Sequence, residues 1–205
     1  MLSAIDDGFE CDLELEAAGA LAQPLEVGGL HIANRFVTHP MEGWDASADG
    51  LPTADTLRRW RRFGQSGAKL IWGGEAFAVC EDGRANPNQL FLNEDAGTLA
   101  GLVQLREEVR AGHVEVGEDP DELVTGLQLT HSGRFARPRG ELAPKIAHRH
   151  PPLAAKYGDE PQPLSDAELD AIGERFVQAA RMAEEAGYAF VDVKCCHGYL
   201  MHETL

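Results

Sequence analysis

The stretch SDAELDAIGERFVQAARMAEEAGYAFVDVKCCHGYL, residues 165–200, decides the fold. Its first half is an amphipathic helix. Ser165 and Glu168 stand three apart as a capping box, and Leu169, Ile172, Phe176, Val177, Ala180 and Ala183 recur along one face. Gly187 closes the helix, and Ala189–Lys194 follows as a short, mostly apolar strand. A helix feeding such a strand is half of a parallel βα repeat, which gathers polar residues beyond the strand's carboxyl end. Here those residues are Lys194 to Tyr199.

The same pattern recurs upstream. Leu25–Ile32 reads as a hairpin, with Gly28-Gly29 supplying the positive φ that a two-residue turn needs. Arg35–Thr38 is a short strand closed by Pro40, and a polar loop runs from Glu42 to Pro52. Thr53 is an N-cap for a helix carrying Leu57, Trp60 and Phe63, which Gly64 and Gly67 stop. Lys69–Trp72 is a buried strand ending at Gly73-Gly74-Glu75. A second helix covers about Asp95 to Arg110, with Leu99, Leu102, Val103, Arg106 and Val109 inside. The acidic run Glu115–Glu122 reads as a solvated loop and Leu123–Thr130 as the third strand. Residues 133–163, rich in Pro, Arg and His, form a long loop, and long loops in compact domains are usually functional.

The order is hairpin, then β-α-β-α-β-(loop)-α-β, an α/β fold with a parallel sheet. A doubly wound sheet and a (β/α)₈ barrel share this local pattern. No G-x-G-x-x-G follows the first strand, which weakens the dinucleotide-binding alternative.

Composition narrows the function. The chain has 205 residues, 34 acidic against 18 basic, a net charge of −16 and 43% hydrophobic residues. That supports a real core and counts against nucleic-acid or anionic-membrane partners, which need a basic surface. No apolar run approaches the roughly 18 residues of a membrane span. Residues 1–23 read as a poorly specified acidic extension, and Met1–Glu16 has no Lys or Arg, unlike a secretory signal or transit peptide. Cys11, Cys80, Cys195 and Cys196 do not form a disulfide framework, so a reducing cytoplasm is expected.

Four motifs at the strand ends resemble the old yellow enzyme family of FMN-dependent NAD(P)H:flavin oxidoreductases and ene-reductases. Asn34-Arg35-Phe36-Val37 with Pro40-Met41 is similar to its "NR…PM" segment, and Glu75–Val79 with Gly83-Arg84 to its "EAxAV…GR". Gln128–Arg134 is similar to "QLxHAGR", and His197-Gly198-Tyr199-Leu200 to "HGYL" after the fourth strand. The resemblance covers residues 24–205 and implies the N-terminal half of a (β/α)₈ TIM barrel, about four βα units after a short hairpin. Family contacts from strands five to eight, the phosphate cradle among them, have no counterpart. The isolated chain is therefore expected to hold FMN weakly and to self-associate or need a complementary C-terminal half. Apolar residues such as Leu70, Leu127 and Val191 are expected to lack a second layer.

The resemblance assigns roles residue by residue. Gln128 alternates with Leu127 and Leu129, so it points to the face opposite them; by resemblance it meets the flavin pyrimidine edge. Pro40, Met41 and Ala76 match positions lining the flavin ring, and His39 flanks it together with Glu42, both departing in type from the family pattern. Taken without the resemblance, Met41 is more often core filler than cofactor wall. Trp44 falls where the family often has an aromatic over the substrate, or packs on the rim. Lys194 and His197 occupy the positions of two donors to a substrate oxyanion. His197 fits the pattern. Lys194 replaces a histidine and offers a mobile point charge, which puts the substrate class in question; the alternative is that it pairs with Asp192, Glu75 or an anionic flavin. Tyr199 matches the proton donor. Adjacent Cys195 and Cys196 lack zinc-ligand spacing, so no metal is expected.

The leading reading is an FMN-dependent oxidoreductase that passes hydride from NAD(P)H to an electron-poor alkene or related small-molecule acceptor. Two others stand beside it: a non-catalytic half-barrel needing a partner chain, and a flavin-free barrel enzyme using the Lys194 amine.

Overall fold

The computed structural model describes residues 19–94, 97–152 and 161–205. Most of the acidic extension expected over residues 1–23, and the expected helix start at Asp95, lie outside the described residues.

Strands β1 (Leu25–Val27) and β2 (Leu30–Ile32) pair antiparallel, and Gly28 and Gly29 hold φ of 59° and 80° in the turn between them. A parallel sheet then builds from β3 (Val37–Thr38), β4 (Leu70–Ile71), β5 (Ala76–Ala78), β6 (Val124–Thr130) and β7 (Phe190–Val193). Leu70 pairs with Val124 and Ala76 with Gln128, so β4 and β5 lie along successive halves of β6. They are one strand interrupted at Gly73-Gly74, both of positive φ. The spatial order is thus β3, β4/β5, β6, β7, the order of the chain. A doubly wound sheet reverses direction at a switch point. This one does not, and it matches the first four strands of a barrel.

Helices α1 (Ala54–Gln65), α2 (Thr98–Glu115) and α3 (Asp166–Glu185) cover the outer face, and a short α4 (Leu200–Glu203) follows β7. Both predicted N-caps form full capping boxes, Thr53 with Thr56 and Ser165 with Glu168. The core lies between helices and sheet: Trp60, Ile71, Phe77, Leu102, Leu105, Val109, Leu127, Leu129, Phe176, Ala179 and Ala183. Burial of each large aliphatic there contributes roughly 1.5–3 kcal/mol.

Several expectations are corrected. Leu127 is fully buried under the helices and Val191 packs on the same core, so neither lacks a second layer. On α2 the inner stripe runs Leu102, Leu105, Val109, while Val103 is 40% exposed. On α3 Ala179 is buried and Val177 is 44% exposed. Adjacent helical residues point about 100° apart, so only one of each neighbouring pair can face inward.

Gly64 does not stop α1. It is one of two glycines through which α1 and α2 touch, Gly112 being the other, and a Cβ on Gly64 would stand 1.9 Å from the Val109 carbonyl oxygen. Buried His113 fastens this crossing, donating from Nδ1 to the Gly64 carbonyl (2.9 Å) and accepting at Nε2 from Lys69 (3.0 Å). Lys69 in turn reaches Glu118 and Glu122 at 2.6 and 2.7 Å. The acidic loop is therefore tethered, not merely solvated.

Candidate active site at the carboxyl ends of the strands

The loop after β3 carries Met41 to Asp45 and is clamped from beneath. Glu75, 1% exposed, accepts from the Gly43 N–H at 2.9 Å and from Arg59 Nη2 at 2.5 Å. Arg59 also grips Asp45 with two bonds, at 2.8 and 2.9 Å, and donates to the Gly74 carbonyl at 3.2 Å. Such a forked, charge-assisted grip fixes geometry as well as supplying energy. Gly43 leaves room for this grip, since a Cβ on it would displace the Arg59 guanidinium. Burial lifts the Glu75 carboxyl to about 7 despite Arg59. Burial also works against the charges on Asp45 and Arg59, yet their mutual bonds outweigh it, holding Asp45 below its ordinary range and Arg59 above its own.

Held this way, the loop presents Glu42 to the far end of the sheet. Glu42 Oε1 accepts from Lys194 Nζ at 3.0 Å and from the Tyr199 hydroxyl at 2.8 Å. Its other oxygen, Oε2, accepts from Trp44 Nε1 at 3.3 Å. The Lys194 ammonium also sits 4.3 Å from the centroid of the Tyr199 ring. Burial first, then the like charge of Glu42, push the Tyr199 phenol well above its ordinary range. Three donors converge on one carboxylate.

Tyr199 is positioned from β6. The Leu200 N–H donates to the His131 carbonyl at 3.1 Å, Phe135 packs 6.2 Å from the Tyr199 ring, and Arg134 bonds Glu203 at 2.6 Å with both side chains buried. Among the described residues, two with side chains take positive φ, Trp44 at 51° and His197 at 60°. Such backbone costs of order 1–3 kcal/mol and clusters at functional sites.

The open face of the sheet forms a cleft of about 360 Å³ lined by Val37, His39, Pro40, Leu70, Trp72, Gln128 and Asp192. As alternation requires, Gln128 faces this side, donating from its amide to Asp192 at 2.7 Å, while Leu127 and Leu129 face the helices. Trp72 and Phe190 rings meet at 5.0 Å on the same side.

Of the residues singled out from sequence, His39, Pro40 and Gln128 line this cleft. Met41 and Trp44 are exposed on the loop beside it. Ala76 is paired with Gln128 but covered, its N–H reaching the Met41 carbonyl at 3.3 Å. Lys194 and Tyr199 come together, and His197 stands at the exposed rim with its ring 6.4 Å from that of Tyr199. Lys194 is engaged by Glu42.

Sequence reasoning underrated Glu42 and missed the Glu75–Arg59–Asp45 clamp. The available signals were a carboxylate directly after Pro40-Met41 and a glycine directly after that.

Cys80, Asp82 and His131 place potential ligand atoms within 4.8 Å of one another. The set does not suit a metal. His131 Nδ1 accepts the Gly133 N–H, which leaves the ring proton on Nε2. Burial pushes the Cys80 thiol up and the His131 ring down to about 4, and the Lys145 ammonium already sits 3.1 Å from Asp82.

A sequence model described as the NADH:flavin oxidoreductase / NADH oxidase family matches residues 20–205. An NADPH dehydrogenase of Bacillus velezensis is 29% identical over 194 residues, covering 92% of this chain and 52% of that protein. Another, from Listeria welshimeri, is 30% identical, covering 85% of this chain and 47% of its own length. The chain spans about half the length of the curated relatives it matches. Among solved structures, the old yellow enzyme from Pichia sp. AKU4542 superimposes with a TM-score of 0.70 at 22% identity, covering 88% of this chain and 47% of that one. Morphinone reductase in complex with tetrahydroNAD gives 0.70 at 24% identity, covering 88% and 50%. Among the described residues, no helix is long and apolar enough to cross a membrane.

Proposed function

The chain belongs to the NADH:flavin oxidoreductase / NADH oxidase family, and on that premise we propose that it contributes the substrate-side half of an FMN-dependent oxidoreductase. The reaction proposed is reduction of an electron-poor alkene or related small acceptor at the expense of NAD(P)H, by the portion of the barrel in residues 24–205. What carries the reading is convergence: Gln128 and the Lys194–Tyr199 cluster stand at the carboxyl ends of adjacent strands β6 and β7, beside one open cleft.

The cleft suits a flat, partly polar ring. Its walls are apolar at Val37, Pro40, Leu70 and Trp72, and Gln128 sets a single amide among them. Pro40, Gln128 and His39 would hold the ring of FMN, with Met41 and Trp44 on the loop above it. When bound, FMN supplies the hydride. The residues of this chain do the rest. Tyr199 holds a proton, because burial and Glu42 keep its phenol protonated through the neutral range, and delivers it to the second alkene carbon. General acids of this kind contribute roughly 10²–10⁴-fold. Trp44, tied to Glu42, offers an aromatic face to the acceptor, and His197 at the rim donates to the acceptor's oxygen.

The test is a comparison of half-reactions in the chain fused to the C-terminal half of a full-length relative and loaded with FMN. Tyr199→Phe is expected to leave bleaching of the flavin band by NADPH nearly unchanged and to slow its return with an alkene acceptor by at least 10²-fold, within the range for a general acid. Equal slowing of both half-reactions would make Tyr199 structural, and no spectral change on adding NADPH would remove the flavin reading altogether.

A further inference from the structure

We propose that Glu42 and Lys194 are positioning residues for one proton, that of the Tyr199 hydroxyl, which they control with opposite charges: Glu42 holds the proton on the phenol, and Lys194 accommodates the phenolate once the proton has left. The inference deepens the role proposed above for Tyr199 and rests on it.

The geometry is specific. The Tyr199 hydroxyl and the Lys194 ammonium both end on a single oxygen of Glu42, at 2.8 and 3.0 Å, so the carboxylate is a shared acceptor rather than a partner of either alone. Its second oxygen is fixed by Trp44. Glu42 itself sits on the loop that Glu75 and Arg59 clamp, so its reach is set from outside the cluster. Lys194 and Glu42 are mostly buried, which makes an ion pair held only for surface solubility an unsuitable explanation. An ammonium committed to a carboxylate and poised 4.3 Å from the phenol ring is also poorly placed to serve first as an oxyanion donor to substrate.

The consequence for the step is direct. When the Tyr199 O–H bond breaks, its proton joins the lone pair on the substrate carbon and a C–H bond forms. The phenoxide left behind faces a carboxylate 2.8 Å away, which opposes the transfer, and the Lys194 ammonium, which favours it. Water then returns a proton to the phenoxide. The other groups facing Tyr199 are Ser132 from the end of β6, and Cys196 and His197 from the loop after β7. None carries a fixed charge of the kind that Glu42 and Lys194 do.

The proposal predicts opposite shifts from two substitutions, read without any flavin. Ultraviolet titration of tyrosinate in the 205-residue chain follows Tyr157, Tyr188 and Tyr199, and subtraction of the Tyr199→Phe trace isolates the last. Glu42→Gln is expected to make Tyr199 more acidic by roughly 10- to 100-fold, the usual effect of removing one adjacent like charge. Adding Lys194→Met to that variant is expected to reverse about tenfold of the change. An unchanged Tyr199 titration in Glu42→Gln, or shifts of the same sign from both substitutions, would overturn the proposal. Should Glu42→Gln fail to melt cooperatively, Glu42→Asp keeps the charge but withdraws it by one methylene, and a smaller shift in the same direction is then expected; no shift would again overturn it. Because flavin plays no part in the titration, its failure is distinguishable from failure of the oxidoreductase reading.

Discussion

Changing glycine to alanine at two helical positions should give opposite results, and the contrast tests how α1 and α2 are packed. In a helix interior alanine is favoured over glycine by about 1 kcal/mol. At Gly173 on α3 the new Cβ would meet nothing within 4 Å, so Gly173→Ala should realise most of that gain. At Gly64 the Cβ would stand 1.9 Å from the Val109 carbonyl oxygen and 2.9 Å from the His113 nitrogen. Ordinary contact begins near 3.4 Å, so the helices must part by about 1.5 Å, and a backbone carbonyl cannot swing aside as a side-chain tip can. Overpacking of this kind costs roughly 1–3 kcal/mol, and parting also stretches the 2.9 Å bond from His113 to the Gly64 carbonyl, worth about 1 kcal/mol. The clash outweighs the propensity, leaving Gly64→Ala about 1–3 kcal/mol less stable than the unmodified chain. Urea unfolding followed by tryptophan fluorescence measures both variants directly, since Trp60 lies in the core beside this crossing. A stabilising Gly64→Ala, or shifts of one sign at both sites, would refute the packing argument.

Two further predictions concern the site's supports. A carboxyl whose folded pKa is lifted from 4.5 to about 7 stabilises the fold most below pH 4.5 and loses that contribution as pH rises through 7. Stability of Glu75→Gln relative to the unmodified chain should therefore rise by roughly 1–3 kcal/mol between pH 5 and pH 8, and a difference independent of pH in urea titrations would rule the argument out. Glu203→Ala strips the buried Arg134 of its carboxylate and should cost about 3–5 kcal/mol, with faster amide exchange at Leu200; a loss under 1 kcal/mol would show that this pair does not anchor α4.

The fold was legible wherever a local signal named its own geometry. Gly28-Gly29 needs a turn of positive φ, Thr53 and Ser165 need free N–H groups to cap, and the alternation of Leu127, Gln128 and Leu129 needs two faces of different character. All three appear as read. What failed was reading a residue's neighbour across space from its neighbours in sequence. Gly64 looked like a stop because glycine often ends helices, and nothing local says that another helix's carbonyl lies against it. Val103 and Val177 passed as core because hydrophobicity alone does not fix rotational register. Gly73-Gly74 looked like a strand's end, whereas the strand resumes at Ala76 against the second half of β6.

The same limit shaped the reading of Lys194. Set against a family pattern, a lysine where a histidine is usual reads as a changed substrate donor or as the partner of Asp192, Glu75 or a flavin anion, since position along the strand does not name the carboxylate it meets. In space its ammonium meets a carboxylate 152 residues earlier in the chain. Glu42 in turn owes its place to Gly43, whose N–H binds Glu75, and Glu75 owes its own to Arg59 from α1. One departure from a pattern is therefore better read as half of a pair, and the other half here is the unusual Glu42. Two changes that neutralise each other, with the Tyr199 hydroxyl ending on the carboxylate they share, preserve a proton-holding phenol while altering what surrounds it. The tyrosinate titration of Tyr199 should accordingly follow the Glu42–Lys194 pair as a unit, so that Glu42→Gln alone shifts it more than replacing both together does, and a double variant shifted as far as Glu42→Gln would break the pairing.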